Sequence, residues 1–265
     1  MNPEGGAGRP LAGRRILVTR RREQSASLVS RLETLGAEVQ AVPAIEIAPA
    51  EDEGPLDRAL AGIHRYDWIA FTSANAVFAV ADRLSALGLP GLNRSVAVAS
   101  VGPATTEAIR ERFPDLEVTL QPFADFRAEG LAEALLARGV RGLRFILPVS
   151  DRARPGLGQA LAAAGASVDT VEAYRTVPPA ALAERIGGIL LTELDLVIFA
   201  SPSAVEALRA TAGAELKAIP VAVLGPVTEE AARKAGFDVR GVAKPSTTEG
   251  LVAAVLRHFE GAGPS

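Results

Sequence analysis

Hydroxyl and amide side chains recur at two places where a predicted strand passes into a predicted helix. FTSANAV, residues 71–77, contains Ser73 and Asn75, and FASPSAV, residues 199–205, contains Ser201 and Ser203. In open α/β sheets, ligands bind at the carboxyl ends of the strands, where the free N–H groups of the next helix attract anions. Serine and asparagine are also preferred N-cap residues. These side chains therefore have two interpretations, helix capping and ligand binding.

A second pair of turns combines glycine and proline with threonine. VGPATTEA, residues 101–108, contains Gly102 and Thr105, and LGPVTEEA, residues 224–231, contains Gly225, Pro226 and Thr228. Glycine lets the backbone approach a ligand closely, and a threonine hydroxyl either caps the helix or binds a carboxylate. We expect all four turns to open on the same edge of their sheets and to form a cleft rich in hydroxyl groups and N–H donors.

Tyr174 and Arg20 complete the set of candidate site residues. Tyr174 is one of only two tyrosines and lies in an alternating, extended segment, where the other half of the chain has Ile45. A phenol at this position can donate a proton to a leaving oxygen, although packing at a hinge explains it equally well. Arg20 ends the first predicted strand, where it either binds substrate carboxylates or is a solvated surface side chain.

The remaining residues offer little for acid–base or metal chemistry. The chain has no cysteine and only two histidines, which lie far apart. There is no Ser-His-Asp arrangement, no cluster of metal ligands and no phosphate-binding glycine loop. We therefore predict no metal site. If the protein is an enzyme, it positions a reactive substrate and stabilises developing charge.

An internal repeat of about 125 residues positions the candidate residues. Short apolar runs alternate with alanine-rich helical patterns, which is typical of parallel sheets wrapped by helices. The repeat predicts an α/β fold with two similar open-sheet lobes and a cleft between them. The predicted strands are residues 16–19, 38–41, 68–72, 95–101, 117–120, 144–147, 167–171, 196–200, 221–224 and 238–242.

Two equivalent extended segments, at about residues 42–49 and 171–178, interrupt this alternation and close with proline. They favour a chain that crosses between the lobes twice. The other arrangement has contiguous lobes with a single linker near residue 140.

Charge and hydropathy limit the possible partners. A net charge of −3 without a long basic run argues against binding nucleic acid. No apolar run is long enough for a membrane span, and the N-terminus lacks the apolar core of a signal peptide. We expect a cytoplasmic monomer that acts on a small molecule, with residues 1 to about 13 as a disordered leader.

Four segments together resemble the uroporphyrinogen-III synthase family. They are ILVTR at residues 16–20, FTSANAV at 71–77, VEAYRTV at 171–177 and LGPVT at 224–228. The resemblance extends over residues 14–260. It implies two flavodoxin-like α/β domains joined by a two-stranded connector. One domain is discontinuous, with residues 1–47 and 178–265, and the inserted domain has residues 48–177.

The resemblance also implies an activity that needs no cofactor. The family converts hydroxymethylbilane, a linear tetrapyrrole polycarboxylate, to uroporphyrinogen III in porphyrin and haem biosynthesis. Water is lost, and ring D is inverted through a spiro intermediate. The family's connector tyrosine, proposed to assist loss of hydroxide, corresponds to Tyr174. Its hydroxyl-bearing turns and the end of its first strand correspond to Ser73, Asn75, Ser201, Ser203, Thr228 and Arg20.

Two other functions remain open from the sequence. A two-lobe small-ligand-binding protein also closes on a small solute, and the missing export signal and DNA-binding helices count against it. A nucleotide-sugar transferase with two α/β lobes is weakened by the missing phosphate-binding glycine loop.

Overall fold

The computed structural model describes residues 9–20, 25–92, 96–190, 194–211 and 214–260. The strands are β1 (Arg15–Val18), β2 (Glu38–Ala41), β3 (Glu46–Pro49), β4 (Trp68–Phe71), β5 (Ala97–Ser100), β6 (Arg144–Ser150), β7 (Ser167–Val177), β8 (Leu196–Phe199), β9 (Val221–Val223) and β10 (Val239–Val242). The helices are α1 (Ala26–Thr34), α2 (Gly54–Ala61), α3 (Ala74–Ala86), α4 (Pro103–Arg112), α5 (Ala128–Leu136), α6 (Gly156–Ala163), α7 (Leu182–Leu190), α8 (Pro202–Thr211), α9 (Ala214–Lys217), α10 (Pro226–Lys234) and α11 (Thr248–Glu260).

The chain divides into two compact units. The first unit combines Met1–Glu46 with Val177–Ser265, and the second unit is Ile47–Thr176. The chain therefore enters the second unit once and leaves it once. The boundary between the two sequence repeats, near residue 140, lies inside the second unit. Each unit thus combines part of one repeat with part of the other.

The first unit contains a five-stranded sheet in the order β10-β9-β8-β1-β2. Its neighbouring strands are parallel, and the order is that of flavodoxin-like folds. The sheet is covered on both faces, since Leu17 packs in one apolar cluster whereas its neighbours Ile16 and Val18 pack in another. Burial on both faces explains why β1 appears in the sequence as a continuous apolar run.

The second unit has the sheet order β3-β7-β6-β4-β5. The strands from β7 to β5 are parallel, and they too have helices on both faces. Ile69 and Phe71 of β4 pack in one cluster, while Ala70 between them packs in the other. These two sheets confirm the predicted α/β class. The predicted cleft and two-stranded connector stay predictions.

The predicted strand at residues 117–120 was wrong. Only an isolated bridge joins Leu120 to Ala99. The hydroxyl of Thr119 accepts the N–H of Val98 at 3.2 Å, taking the place of a main-chain carbonyl. Such side-chain bonds compete with the regular ladder between strands. The segment therefore lies beside β5 without forming a strand.

Two other boundaries differ from the sequence prediction. β7 extends to Val177, well beyond the predicted residue 171, so most of the second expected connector belongs to this sheet. The expected disordered leader is also too long. Leu11 is fully buried, and its N–H donates to the Leu35 carbonyl at 3.0 Å. Residues 1–8 of that leader, and Ser95 of a predicted strand, lie outside the described residues.

Candidate functional site

The four predicted turns lie in pairs, with one pair at the carboxyl edge of each sheet. In the second unit, Ser73 follows β4 and Gly102 follows β5, and these strands are parallel neighbours. In the first unit, Ser201 follows β8 and Gly225 follows β9, which are also parallel neighbours. Each unit therefore presents two helix N-termini side by side, where N–H groups can bind anions.

Both turn serines cap the helices that follow them. The Ser73 Oγ accepts the N–H of Ala76 at 3.2 Å, and the Ser201 Oγ accepts the N–H of Ala204 at 3.3 Å. The capping interpretation is therefore observed in both halves of the chain. A capping oxygen still has a hydrogen to donate, so capping does not exclude a second partner.

The other polar residues of these turns differ in exposure. Asn75 and Ser203 are half-buried at the second position of their helices, and Pro226 is exposed. Thr105 and Thr228, at the third position, are only 4% and 5% exposed. Little of either threonine is therefore accessible to a substrate.

Tyr174 lies next to the first of these turns. Its side chain is 8% exposed, and its Oη is 3.0 Å from the Ser73 Oγ, where either oxygen can be the donor. Its main chain is held by Asp151, whose N–H donates to the Tyr174 carbonyl at 3.1 Å. The Asp151 carboxylate accepts the N–H of Thr176 at 3.2 Å. Sequence reasoning missed Asp151, although it follows a predicted strand within a few residues.

Tyr66, the other tyrosine, has a different environment. It precedes the amino end of β4, whereas Ser73 follows the carboxyl end. The Tyr66 hydroxyl donates to Asp169 Oδ2 at 2.5 Å. Burial, followed by this bond to a carboxylate, raises the pKa of Tyr66 to about 12. The hydroxyl is thus committed to a partner inside the second unit.

Arg20 lines a pocket in the first unit, with a volume of about 60 Å³. The pocket lies at the carboxyl edge where β1 and β8 meet and where the strand order reverses, which is the usual ligand position in such sheets. Sequence reasoning missed its three hydroxyl side chains, although each lies at the start of a helix. The lining residues are Val18, Arg20, Ser25, Ser27, Leu28, Ala200, Leu224, Thr248 and Leu251.

The turn glycines have packing partners. A Cβ placed on Gly102 would lie 2.9 Å from the Cβ of Phe126, and one placed on Gly225 would lie 2.8 Å from the Oγ of Ser246. Both distances are shorter than side-chain carbons tolerate. Close packing within each unit therefore explains the two glycines without a ligand.

Gly102→Ala is expected to lower the free energy of unfolding by about 1–3 kcal/mol, because the new methyl group must displace Phe126. Gly187→Ala in α7 is the matched control. Nothing lies within 4 Å of a Cβ there, so alanine should be neutral or stabilise the helix by up to ~1 kcal/mol. Denaturant unfolding of both variants measures the difference. Equal free energies of unfolding for the two variants would show that Phe126 moves aside without loss of stability.

The described residues also bear on metal binding and membrane insertion. Within the described residues, no three His, Asp or Glu side chains come together in a group suited to a metal ion. The helices in the same ranges include none with the length and apolar character needed to cross a membrane.

Comparison with known proteins identifies the family. The family model described as uroporphyrinogen-III synthase HemD matches residues 26–253. This chain belongs to the uroporphyrinogen-III synthase family. A uroporphyrinogen-III synthase from Synechococcus elongatus is 31% identical over 259 residues, which cover 94% of this chain and 97% of the relative. A putative uroporphyrinogen-III synthase from Methanothermobacter thermautotrophicus is 33% identical over 223 residues, covering 80% of this chain and 86% of the relative.

The family's fold is also the fold of this chain. A crystal structure of a mutant uroporphyrinogen III synthase from the extremely thermophilic bacterium Thermus thermophilus matches with a TM-score of 0.62. The match covers 94% of this chain and 100% of that chain at 20% identity. At this identity the likeness concerns the fold, and it supports the two-domain α/β architecture.

Proposed function

We propose that this chain closes hydroxymethylbilane into uroporphyrinogen III, with loss of water and inversion of ring D. Uroporphyrinogen-III synthases are cofactor-independent cyclising lyases. The observation that carries the proposal is the family match over residues 26–253. The site agrees with this chemistry, because it offers hydroxyl groups and helix N-termini.

Tyr174 is the proposed proton donor for the leaving hydroxyl group. The phenol O–H bond breaks, the proton joins the leaving oxygen, and the C–O bond breaks with its electron pair going to the departing water. The substrate is left as an azafulvene cation and the side chain as a tyrosinate. The proton that the substrate releases when its pyrrole rings regain aromaticity can restore the phenol. Proton donation of this kind typically contributes 10²–10⁴-fold to a rate.

Arg20 and the helix N-termini are the proposed carboxylate-binding groups. Arg20 is exposed beside the first unit's pocket. Ser25 and Thr248, at the starts of two neighbouring helices, line the same pocket. A guanidinium binds a carboxylate through two parallel charge-assisted hydrogen bonds. Several such contacts would hold a flexible linear polycarboxylate in the curled shape that ring closure requires.

The decisive experiment supplies the purified protein with hydroxymethylbilane generated in situ, oxidises the products and separates the porphyrin isomers. We expect the III isomer, formed faster than in a reaction without protein. Formation of the I isomer alone, at the spontaneous rate, would reject the proposal. Binding without turnover would instead favour a two-lobe ligand-binding protein.

The proposal includes the cytoplasm as the compartment and a monomer as the acting form. A cysteine-free sequence is compatible with a reducing compartment. Sedimentation equilibrium at the concentrations used in the isomer assay would test the monomer, and a larger mass that tracks activity would contradict it.

A further inference from the structure

The hydrogen bond between Tyr174 and Ser73 joins residues 101 positions apart in the chain. It connects β7 to the N-terminus of α3 at the carboxyl edge of the second unit's sheet. The two hydroxyl oxygens are 3.0 Å apart. The Tyr174 ring is otherwise packed in an apolar cluster with residues such as Ile69 and Val171. Ser73 is therefore the polar neighbour that the structure gives to the Tyr174 hydroxyl.

The donor in this bond changes when the tyrosine loses its proton. In the neutral pair either hydroxyl can donate. A tyrosinate has no hydrogen, so only the Ser73 hydroxyl can then donate, and it does so to a charged acceptor. Hydrogen bonds to charged groups are roughly twice as strong as those between neutral groups.

The N-terminus of α3 strengthens Ser73 as a donor. The Ser73 Oγ already accepts the N–H of Ala76 at 3.2 Å. Accepting one hydrogen bond polarises a hydroxyl and makes it a better donor in the next. The partial positive charge of the helix N-terminus also favours an anion nearby. The polarised Ser73 hydroxyl and the partial positive charge of the α3 N-terminus thus both favour a negative charge on the Tyr174 oxygen.

The other half of the chain lacks this arrangement. Ser201 caps α8 in the same way that Ser73 caps α3. However, Ile45 occupies the position equivalent to Tyr174. Both serines therefore cap a helix, but it is Ser73 that has a tyrosine hydroxyl as a neighbour.

We propose that Ser73 is a positioning residue for Tyr174 and stabilises its tyrosinate as the leaving hydroxyl group takes the proton, instead of binding the substrate directly. The inference rests on the proposed function of Tyr174. No atoms are exchanged between the two side chains, since the serine proton stays on Ser73.

Kinetics of Ser73 variants test this inference. We expect Ser73→Ala to lower kcat by about 10-fold, the value of one hydrogen bond to a charged group, with KM within about 2-fold of the wild type. Ser73→Gly should have the same lowered kcat as Ser73→Ala, because glycine is tolerated as an N-cap but has no hydroxyl. Ser73→Thr should regain most of the lost kcat. If alanine fails to fold, the glycine variant gives the same comparison.

A double-mutant cycle separates this role from capping. In a Tyr174→Phe background, Ser73→Ala should change kcat by less than about 2-fold, because no tyrosinate remains to be stabilised. Asp52→Ala is the control for a lost side-chain hydrogen bond at the start of another helix in the same unit, since the Asp52 carboxylate accepts the N–H of Gly54, the first residue of α2, at 2.9 Å. It should lower the melting temperature and leave kcat unchanged.

Three results would overturn the inference. They are an unchanged kcat in Ser73→Ala, an increase in KM alone, and an equal loss of kcat with and without the Tyr174 hydroxyl. Failure of the proposed function has a different signature, because the wild-type protein itself would then form no III isomer.

Discussion

Tyr174→Phe is expected to lower kcat by about 10²-fold to 10⁴-fold, with KM and the fold close to those of the wild type. The substitution removes the proton that the leaving hydroxyl group takes, and it removes the bond to Ser73. The ring itself remains, and it keeps its apolar contacts, because Tyr174 is 8% exposed within a buried cluster. Single-turnover formation of the III isomer measures the effect, and circular dichroism checks the fold.

Tyr66→Phe is the matched control, because Tyr66 is the only other tyrosine of the chain. It loses a hydroxyl that donates to Asp169 at the opposite end of β4. We expect a stability loss of about 0.5–1.5 kcal/mol from the lost hydrogen bond, because Asp169 is exposed and water can take the place of the phenol. The folded protein should have a normal kcat. A Tyr174→Phe enzyme that keeps the wild-type rate, or equal rate losses in both variants, would remove Tyr174 from the proposed acid role.

Arg20→Gln is expected to raise KM for hydroxymethylbilane by about 10-fold to 100-fold, with a smaller change in kcat. The guanidinium lies at the edge of the first unit's pocket, where a carboxylate would receive charge-assisted hydrogen bonds. Glutamine keeps much of the side-chain length but loses the charge. Since salt screens an exposed charge, the difference in KM between the two proteins should shrink as ionic strength rises.

Arg15→Gln supplies the control from the same strand. Arg15 begins β1, and its guanidinium pairs with the exposed Glu38 at 3.3 Å, at the end of the sheet away from the pocket. Removing this charge should change KM by less than about 2-fold, because surface ion pairs contribute little. If the two variants had equal KM values, Arg20 would be a solvated surface residue, the other interpretation of its position.

Prediction from sequence worked best for the strands buried on both faces. All four residues of β8 are buried, so the strand appears in the sequence as an uninterrupted apolar run. Residues 117–120 alternate polar and apolar side chains, as a half-buried strand does, and are not a strand, because the Thr119 hydroxyl accepts the main-chain N–H of Val98. Propensity and periodicity do not reveal such side-chain competition.

In the candidate site, too, local sequence patterns predicted the residues but not their contacts. Sequence reasoning selected Tyr174 and Ser73 separately, one from its position in an extended segment and the other from its place at the start of a helix. Their contact was not predicted. Gly102 was interpreted as a site for a ligand, whereas the Phe126 side chain occupies the adjacent space.

The sequence by itself determined the repeat, the α/β class and the positions of the turns, because hydrophobic period and capping residues act over a few neighbours in the chain. Only the tertiary structure decided that β7 lies in the same sheet as β4, so that Tyr174 reaches Ser73 from 101 residues away. It also decided that Arg20 shares a pocket with the start of α11. Both contacts depend on strand order and crossovers, which local patterns do not encode.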